Sequence, residues 1–306
     1  MGVKVVKKTI LVLILALIVG GLLRLCVFTS YYIPSDGMAN TLRCGERIFV
    51  NKWSYGWRLP FMKLWGYHRL AESPVERGDV VVFNNPAHRN HSTAIDCREV
   101  YIGRCCGLPG ERLLLDSHYS VVTNPVHLPD QRLFYVYPNR KHEELSQLLQ
   151  KLNVDVSLQK NQEDSCSVCS LSRYEYYLVQ QSLPIDDCWL HPYHNAVPDS
   201  AQLMSFVMPR CGQTVYITPQ NCTLICNTLL LHEQREAFIK NDTLYLDDKP
   251  INSYKFTKDY YWVTSDNAGN VQDSRLFGLL PADHIIGRAT YIWFSKQWER
   301  IGQYVY

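Results

Sequence analysis

The stretch Arg77-Gly-Asp-Val-Val-Val-Phe83 indicates the fold class of this 306-residue chain. Its continuous apolar run predicts a buried strand over Asp79–Phe83. Strand patterns recur at Tyr260–Thr264 and Ile285–Phe294, and residues 243–251 predict a hairpin that turns at Asp247-Asp248. The sequence therefore predicts a mainly β protein.

Two helices are predicted within this β framework. His142–Val154 places Leu145, Leu148, Leu149 and Leu152 on one helical face. A second helix is predicted over Asn221–Phe238, starting at Asn221 after a proline. Residues 116–212 show weak periodicity and several clustered cysteines, so we interpret them as an inserted small subdomain.

Charge is distributed unevenly along the chain. Residues 1–30 hold four basic residues and no acidic residue. Residues 31–306 hold the other 27 of the 31 basic residues and all 29 acidic residues, so their net charge is close to zero. This nearly neutral body excludes the electrostatic footprint of a nucleic-acid-binding protein. A 46% apolar composition excludes a fully disordered chain, and the slightly negative mean hydropathy argues against many membrane spans.

An apolar segment near the N-terminus predicts a membrane anchor over residues 10–28. As a helix it would measure about 28 Å, close to the hydrocarbon thickness of a bilayer. Lys4, Lys7 and Lys8 precede it, so residues 1–9 are expected in the cytoplasm and the body is expected to be exported. The alternative is a cleaved signal peptide, but no small-x-small cleavage site follows the segment.

Residues 53–70 crowd aromatic side chains among basic ones, a composition that suits a membrane interface. The alternative is an aromatic corner of the core. The aromatic and methionine residues are Trp53, Tyr55, Trp57, Phe61, Met62, Trp65 and Tyr67.

Four sequence blocks follow the anchor in a fixed order. The first is Tyr-Ile-Pro-Ser-Asp-Gly-Met-Ala-Asn-Thr-Leu at 32–42, and the second is the 77–83 stretch. The third is Tyr-Ile-Gly-Arg-Cys-Cys-Gly-Leu-Pro-Gly-Glu at 101–111. The fourth is Ser-Asp-Asn-Ala-Gly-Asn-Val-Gln-Asp-Ser-Arg-Leu-Phe-Gly at 265–278. Each alone is a weak signal, but together they closely resemble the bacterial type I signal peptidases.

The resemblance implies a mainly β protein that is anchored in the inner membrane, with its body on the outer, periplasmic face. Its core would be formed by residues 29–115 and 213–306, with an α/β insertion at 116–212. Active members of that family cleave signal peptides from exported proteins with a serine nucleophile and a lysine base. A serine hydroxyl needs a nearby base, and a lysine base must be neutral at working pH. The resemblance implies no metal and no cofactor.

The reactive positions of the family are altered in this chain. Gly37 stands at the nucleophile position, Gly103 at the lysine position, and Val271 where a serine orients the lysine. Ser35 matches the oxyanion-hole serine, and Asp273 and Arg275 match the supporting pair. The other framework matches are Pro34, Met38, Thr41, Leu42, Arg77, Gly78, Asp79, Arg104, Gly107, Pro109, Gly110 and Gly278.

This pattern predicts a signal peptidase I-like membrane protein of the export system that has lost its chemistry and keeps a peptide-binding scaffold. The expected partners are the bilayer, signal-peptide segments and an active relative. One alternative is a working serine endopeptidase with an unusual nucleophile, in which Asp36 would activate Ser35. Another is a non-enzymatic assembly factor that binds partners through residues 116–212.

The eleven cysteines cannot all pair within one chain. Cys166, Cys169, Cys188 and His191 have a spacing that suits zinc, but a disulfide is the better expectation for an exported body, and free thiols are the remaining alternative. Cys211, Cys222 and Cys226 are candidates for a further bridge. Cys105 and Cys106 are predicted to be small buried hydrophobic residues on opposite faces of a strand.

Overall fold

The computed structural model describes residues 2–88, 92–116, 119, 121–122, 132–152, 154, 156, 158, 160–161, 164–183, 189–193, 203–267 and 272–306. Its helices are α1 (Gly2–Cys26), α2 (Met62–Trp65), α3 (His142–Lys151), α4 (Arg173–Ser182), α5 (Cys222–Leu231) and α6 (Ser274–Phe277).

The strands in chain order are β1 (Phe28–Tyr32), β2 (Arg47–Asn51), β3 (Trp57–Arg58), β4 (Arg69–Leu70), β5 (Val80–Asn84), β6 (Val100–Gly107), β7 (Arg112–Leu115), β8 (Arg132–Pro138), β9 (Cys166–Ser172), β10 (His191–Pro192), β11 (Met204–Val207), β12 (Thr214–Tyr216), β13 (Ala237–Lys240), β14 (Thr243–Leu246), β15 (Lys249–Ile251), β16 (Ser253–Lys255), β17 (Tyr260–Thr264), β18 (Leu280–Pro281) and β19 (Ile285–Phe294). The mainly β prediction is confirmed.

A seven-stranded antiparallel sheet carries the four sequence blocks. Its order is β1-β2-β19-β5-β6-β17-β18. The predicted strand at 79–83 is β5, which is buried along its whole length at the centre of the sheet. β6 lies between β5 and β17, with Val80 opposite Arg104 and Thr264 opposite Arg104 on the other side. The second and third blocks therefore lie mainly on the neighbouring strands β5 and β6, and the fourth block begins directly after β17, the next strand in the sheet.

Cys105 and Cys106 confirm the predicted alternation on β6. Both side chains are buried, and they belong to different hydrophobic clusters. Cys105 packs with Val81, Phe83 and Val263, whereas Cys106 packs with a cluster that includes Trp262. One strand thus separates two apolar cores.

The 116–212 segment forms a small sheet of its own, in the order β10-β8-β9. α3 lies within the predicted helix range, and Leu145 and Leu149 are buried against this sheet as expected. The segment does not end as a separate unit. Its last strand, β11, pairs with β7 and packs into the same cluster as Trp262.

The predicted helix Asn221–Phe238 is correct only in its first half. α5 ends at Leu231, and residues from Ala237 onward form β13. Gln234 adopts left-handed backbone with φ of 54°. The Glu233 carboxylate accepts hydrogen bonds from Tyr260 and Thr257, at 2.8 and 2.6 Å. These long-range contacts hold the chain in a turn that ends the helix.

The hairpin prediction is confirmed in detail. β14 and β15 pair with Leu246 opposite Lys249. The two connecting residues, Asp247 and Asp248, have φ of 48° and 63°, which is the left-handed backbone required in a two-residue turn.

The N-terminal apolar segment is helical, but the helix ends at Cys26, and Phe28 already begins β1. Across the described part of the chain, no helix meets the combined length and hydrophobicity expected of a membrane span.

The aromatic segment at 53–70 divides between core and surface. Tyr55 and Met62 are buried, so these two belong to the core. Trp53, Phe61 and Trp65 are more than half exposed. Trp53 also stacks on Trp57 with ring centroids 6.0 Å apart.

Neither cysteine bridge is observed. Cys166 and Cys169 are free thiols, one exposed and one buried on β9, and Cys188 lies outside the described residues. Cys211, Cys222 and Cys226 are also free thiols, so the candidate bridge among these three is not formed. The described residues contain no group of His, Cys, Asp or Glu side chains suited to a metal ion.

Candidate functional site

The first block forms a short 3₁₀ turn at Asp36–Met38, directly after β1 and Pro34. The turn is closed by hydrogen bonds from Ala39 N to the Asp36 carbonyl and from Leu42 N to the Met38 carbonyl, at 3.0 and 2.7 Å. Gly37 and Met38 are buried. The nucleophile position therefore offers backbone atoms and no hydroxyl.

Ser35 lies one step outside this turn with an exposed side chain. Among the described residues, no side chain forms a hydrogen bond with its hydroxyl, and this includes the neighbouring Asp36 carboxylate. An activated serine requires such a contact to a base. The geometry gives no support to Ser35 as a substitute nucleophile.

Gly103 lies on β6 next to the apolar side chains of Val263 and Phe83. A Cβ atom built on Gly103 would lie 3.3 Å from the Thr264 carbonyl oxygen, 3.6 Å from Val263 Cβ and 3.7 Å from Phe83 Cε1. The Phe83 ring is itself packed edge-on against Phe277, with centroids 5.7 Å apart. A side chain here would enter an apolar, closely packed site, and the Thr264 carbonyl would have to yield by a few tenths of an ångström.

Arg104, next to the vacant lysine position, joins all four blocks. Its Nε and Nη2 donate to the Asp266 carboxylate at 2.8 and 2.7 Å. Nη2 also donates to Thr41 Oγ1 at 2.7 Å, and Nη1 donates to the Gly78 carbonyl at 2.8 Å. Thr41 Oγ1 donates in turn to Asp266. A buried charge needs this degree of hydrogen bonding to be tolerated.

Asp273 and Arg275 form the predicted pair at the start of α6. Asp273 caps the helix by accepting from Arg275 N at 3.0 Å, and its other oxygen accepts from Ser265 N at 2.8 Å. The Arg275 guanidinium completes a 2.6 Å ion pair. Asp273 therefore ties α6 to the end of β17. Val271, the third altered position, lies outside the described residues.

The remaining framework residues hold turns in place. Asp79 accepts from Tyr55 OH at 2.8 Å and from Glu76 N at 3.0 Å. Arg77 forms an ion pair with Glu111. Gly110 and Gly278 have φ of 85° and 81°, where a side chain is strained. A Cβ on Gly107 would lie 2.6 Å from Leu113 Cδ1.

Sequence reasoning placed Asp266 and Asn267 inside a motif but gave neither a role. Asn267 donates from its backbone to the Gly37 carbonyl at 3.0 Å and from its amide to the Asp36 carbonyl at 3.1 Å. A role for Asp266 could have been predicted by asking which carboxylate pairs with Arg104, because a buried arginine requires such a partner. No sequence pattern predicted the contacts of Asn267.

Two cavities of about 270 and 410 Å³ lie elsewhere. The smaller lies between α5 and α6 and reaches Arg275, and the larger is lined by aromatic residues near Pro109. Neither is lined by Ser35, Gly37 or Gly103.

The profile of the family described as signal peptidase, peptidase S26, matches residues 6–182 and 209–294. The chain belongs to this family. It is 24% identical over 279 residues to signal peptidase I of Buchnera aphidicola subsp. Schizaphis graminum, covering 90% of this chain and 70% of the relative. It is 22% identical over 299 residues to that of Haemophilus influenzae, covering 91% and 66%. A 102-residue match to that of Pseudomonas aeruginosa reaches 35% identity over 33% of this chain and 32% of the relative.

Because the chain belongs to the signal peptidase family, positions 37 and 103 can be compared with the family's reactive serine and lysine. The buried ion pair, the α6 cap and the turn at Asp36–Met38 are intact. The two described reactive positions carry no functional group. The site has neither a hydroxyl at position 37 nor an amine at position 103.

Proposed function

We propose that this signal peptidase-like protein belongs to the protein-export system, has lost its peptidase chemistry and retains a scaffold that binds signal-peptide-like segments. One observation carries the proposal: glycine occupies both dyad positions beside an intact Arg104–Asp266 network. Loss of one member of such a catalytic unit removes most of a roughly 10⁶-fold acceleration. Further losses then cost little activity, so they accumulate.

Two strand edges near the site support peptide binding. β1 is the end strand of the main sheet and pairs with β2 alone among the described strands. The first half of β6 pairs with β5, whereas the described pairing of β17 begins only at Arg104. Unpaired backbone groups at such edges accept an extended peptide by strand addition.

We place the protein at the inner membrane, attached through α1 with its body on the outer face. In support of this attachment, apolar side chains of α1 such as Leu11, Leu13 and Leu17 are well over half exposed. Exposed Trp53, Phe61 and Trp65 suit the interface next to it. Resistance to alkaline extraction, together with protease access to the body from outside only, tests this placement.

The activity test uses purified full-length protein with a preprotein whose signal peptide ends in alanine-x-alanine. We expect no cleavage. Cleavage that disappears in Ser35→Ala would overturn the proposal and establish an unusual peptidase instead.

A gain-of-function test asks whether the scaffold is intact. Gly37→Ser combined with Gly103→Lys should give cleavage above background, because both reactive groups return to a preserved framework. Gly37→Ala with Gly103→Lys is the matched control and should stay inactive. Binding of the same signal peptide by the unaltered protein, measured by fluorescence anisotropy, tests the scaffold directly; absence of binding would contradict it.

A further inference from the structure

Asn267 connects the turn at Asp36–Met38 to the 116–212 segment. Its backbone N–H and its side-chain Nδ2 donate to the carbonyl oxygens of Gly37 and Asp36, at 3.0 and 3.1 Å. One residue therefore fixes two consecutive peptide units at the former nucleophile position. The conformation of this turn depends on which way the Asn267 amide faces.

Ser170 of β9 supports the orientation in which Nδ2 faces the Asp36 carbonyl. Its hydroxyl donates to Asn267 Oδ1 at 2.7 Å. An amide oxygen accepts and an amide nitrogen donates, so a donor held at Oδ1 leaves Nδ2 directed to the Asp36 carbonyl. A flipped amide would turn its oxygen, an acceptor, toward the Asp36 carbonyl oxygen, which is also an acceptor.

Arg132, the first residue of β8, makes a second connection, to Asn40 just after the turn. Its Nε donates to Asn40 Oδ1 at 2.9 Å, and its backbone N–H donates to the Asp266 carbonyl at 2.9 Å. The guanidinium is held by an ion pair with Glu175 at 2.7 Å and is largely buried. Asn40 needs support, because its φ of 87° lies in left-handed backbone that non-glycine residues seldom adopt.

We propose that Ser170 and Arg132 are positioning residues for the turn at Asp36–Met38 and for Asn40, which follows it, so the 116–212 segment is a working part of the peptide site. The segment touches the turn at both ends, through Asn267 and through Asn40. The expected effect of these two residues on peptide binding rests on the proposed function. Their expected effect on the conformation of the turn does not.

Amide hydrogen exchange on the full-length protein in detergent tests the turn itself. Ser170→Ala and Arg132→Lys should speed exchange at the Ala39, Leu42 and Asn267 amides about five- to tenfold, the effect of losing one hydrogen bond. The amides of β5 and β19 should not change. Ser170→Thr keeps the hydroxyl and should restore the slow exchange.

Ser182→Ala is the matched control, because this hydroxyl belongs to α4 and donates to the Leu178 carbonyl. It should leave all of these amides unchanged. Faster exchange across β5 and β19 in Ser170→Ala would indicate a merely structural role and overturn the proposal, as would unchanged exchange in the turn.

Peptide affinity gives the second readout. In both positioning variants, the Kd for a labelled alanine-x-alanine signal peptide should rise at least threefold, with no change in Ser182→Ala. If the unaltered protein binds no peptide while exchange still rises in the turn, the proposed function fails and the positioning role stands. If binding is normal in all variants, the link from segment to peptide site is wrong.

Discussion

The Arg104 guanidinium and the Asp266 carboxylate form a two-point ion pair that is at most 1% exposed on either side. The two residues are separated by 162 positions in sequence. Since Arg104 also donates to Thr41 and Gly78, one buried contact fixes the relative position of all four sequence blocks. The framework of the site is thus part of the stability of the fold, independent of chemistry at Gly37 and Gly103.

Arg104→Ala should lower the free energy of unfolding by about 3–5 kcal/mol, because it leaves Asp266 buried without its partner. Urea unfolding followed by tryptophan fluorescence measures the change. The control is Arg235→Ala, which removes an ion pair with Asp247 whose side chains are 43% and 50% exposed. Its urea midpoint should stay close to that of the parent, since water already screens the pair. Equal midpoints for the two variants would contradict the role given to Arg104.

Glycine-to-alanine changes should differ in cost according to what the added methyl group meets. At Gly287 it would lie 2.3 Å from the Asn51 carbonyl oxygen, a backbone atom of the neighbouring strand, whereas at Gly103 the closest approach is 3.3 Å. We expect Gly287→Ala to lose about 3 kcal/mol and Gly103→Ala about 1 kcal/mol. The order is measured by thermal unfolding, and a reversed order would show that β6 cannot accept a side chain at position 103.

Local sequence patterns predicted much of the fold. The apolar run at 80–84, the leucine spacing of α3 and the Asp247-Asp248 turn all act over a few residues, and each was confirmed. The second half of the predicted helix at 221–238 failed because the Glu233 carboxylate finds its partners on Thr257 and Tyr260, which no local pattern reveals.

The candidate site was likewise predicted only in part from the sequence. Motif order was enough to identify Gly37 and Gly103 as the altered positions. Sequence did not reveal that Ser170 and Arg132, from a segment without recognisable motifs, hold the turn through Asn267 and Asn40. Such contacts depend on how two distant strands meet.

Alkylation should separate the cysteines into two groups. The thiols of Cys44, Cys97, Cys166 and Cys211 are exposed and free, so iodoacetamide should label them in the folded protein. Burial raises the pKa of Cys106 to about 11 and that of Cys169 to about 12, which leaves little thiolate and no access. Both should react only after unfolding in urea. Site-resolved mass spectrometry checks this, and rapid labelling of Cys106 in the folded state would contradict the packing of β6.

The free energy of unfolding should decrease as the pH falls, over a pH range that is set by the pKa of His232. Burial lowers the pKa of His232 to about 3, and the neighbouring His284 acts in the same direction. Its Nδ1 atom has no hydrogen-bond partner within the described part of the chain. Between pH 6.5 and 3 the unfolded chain therefore binds a proton that the folded protein excludes, so stability is full above pH 6.5 and is lost as the pH falls.

The slope from this one group is at most about 1.4 kcal/mol per pH unit. His232→Phe removes the titrating group and should flatten the dependence of unfolding free energy on pH between 6.5 and 4, even if the absolute stability changes. His68→Phe, at an exposed position, is the control and should keep the parental slope. An unchanged slope in His232→Phe would mean that this imidazole is protonated in the folded protein and that another group carries the acid sensitivity.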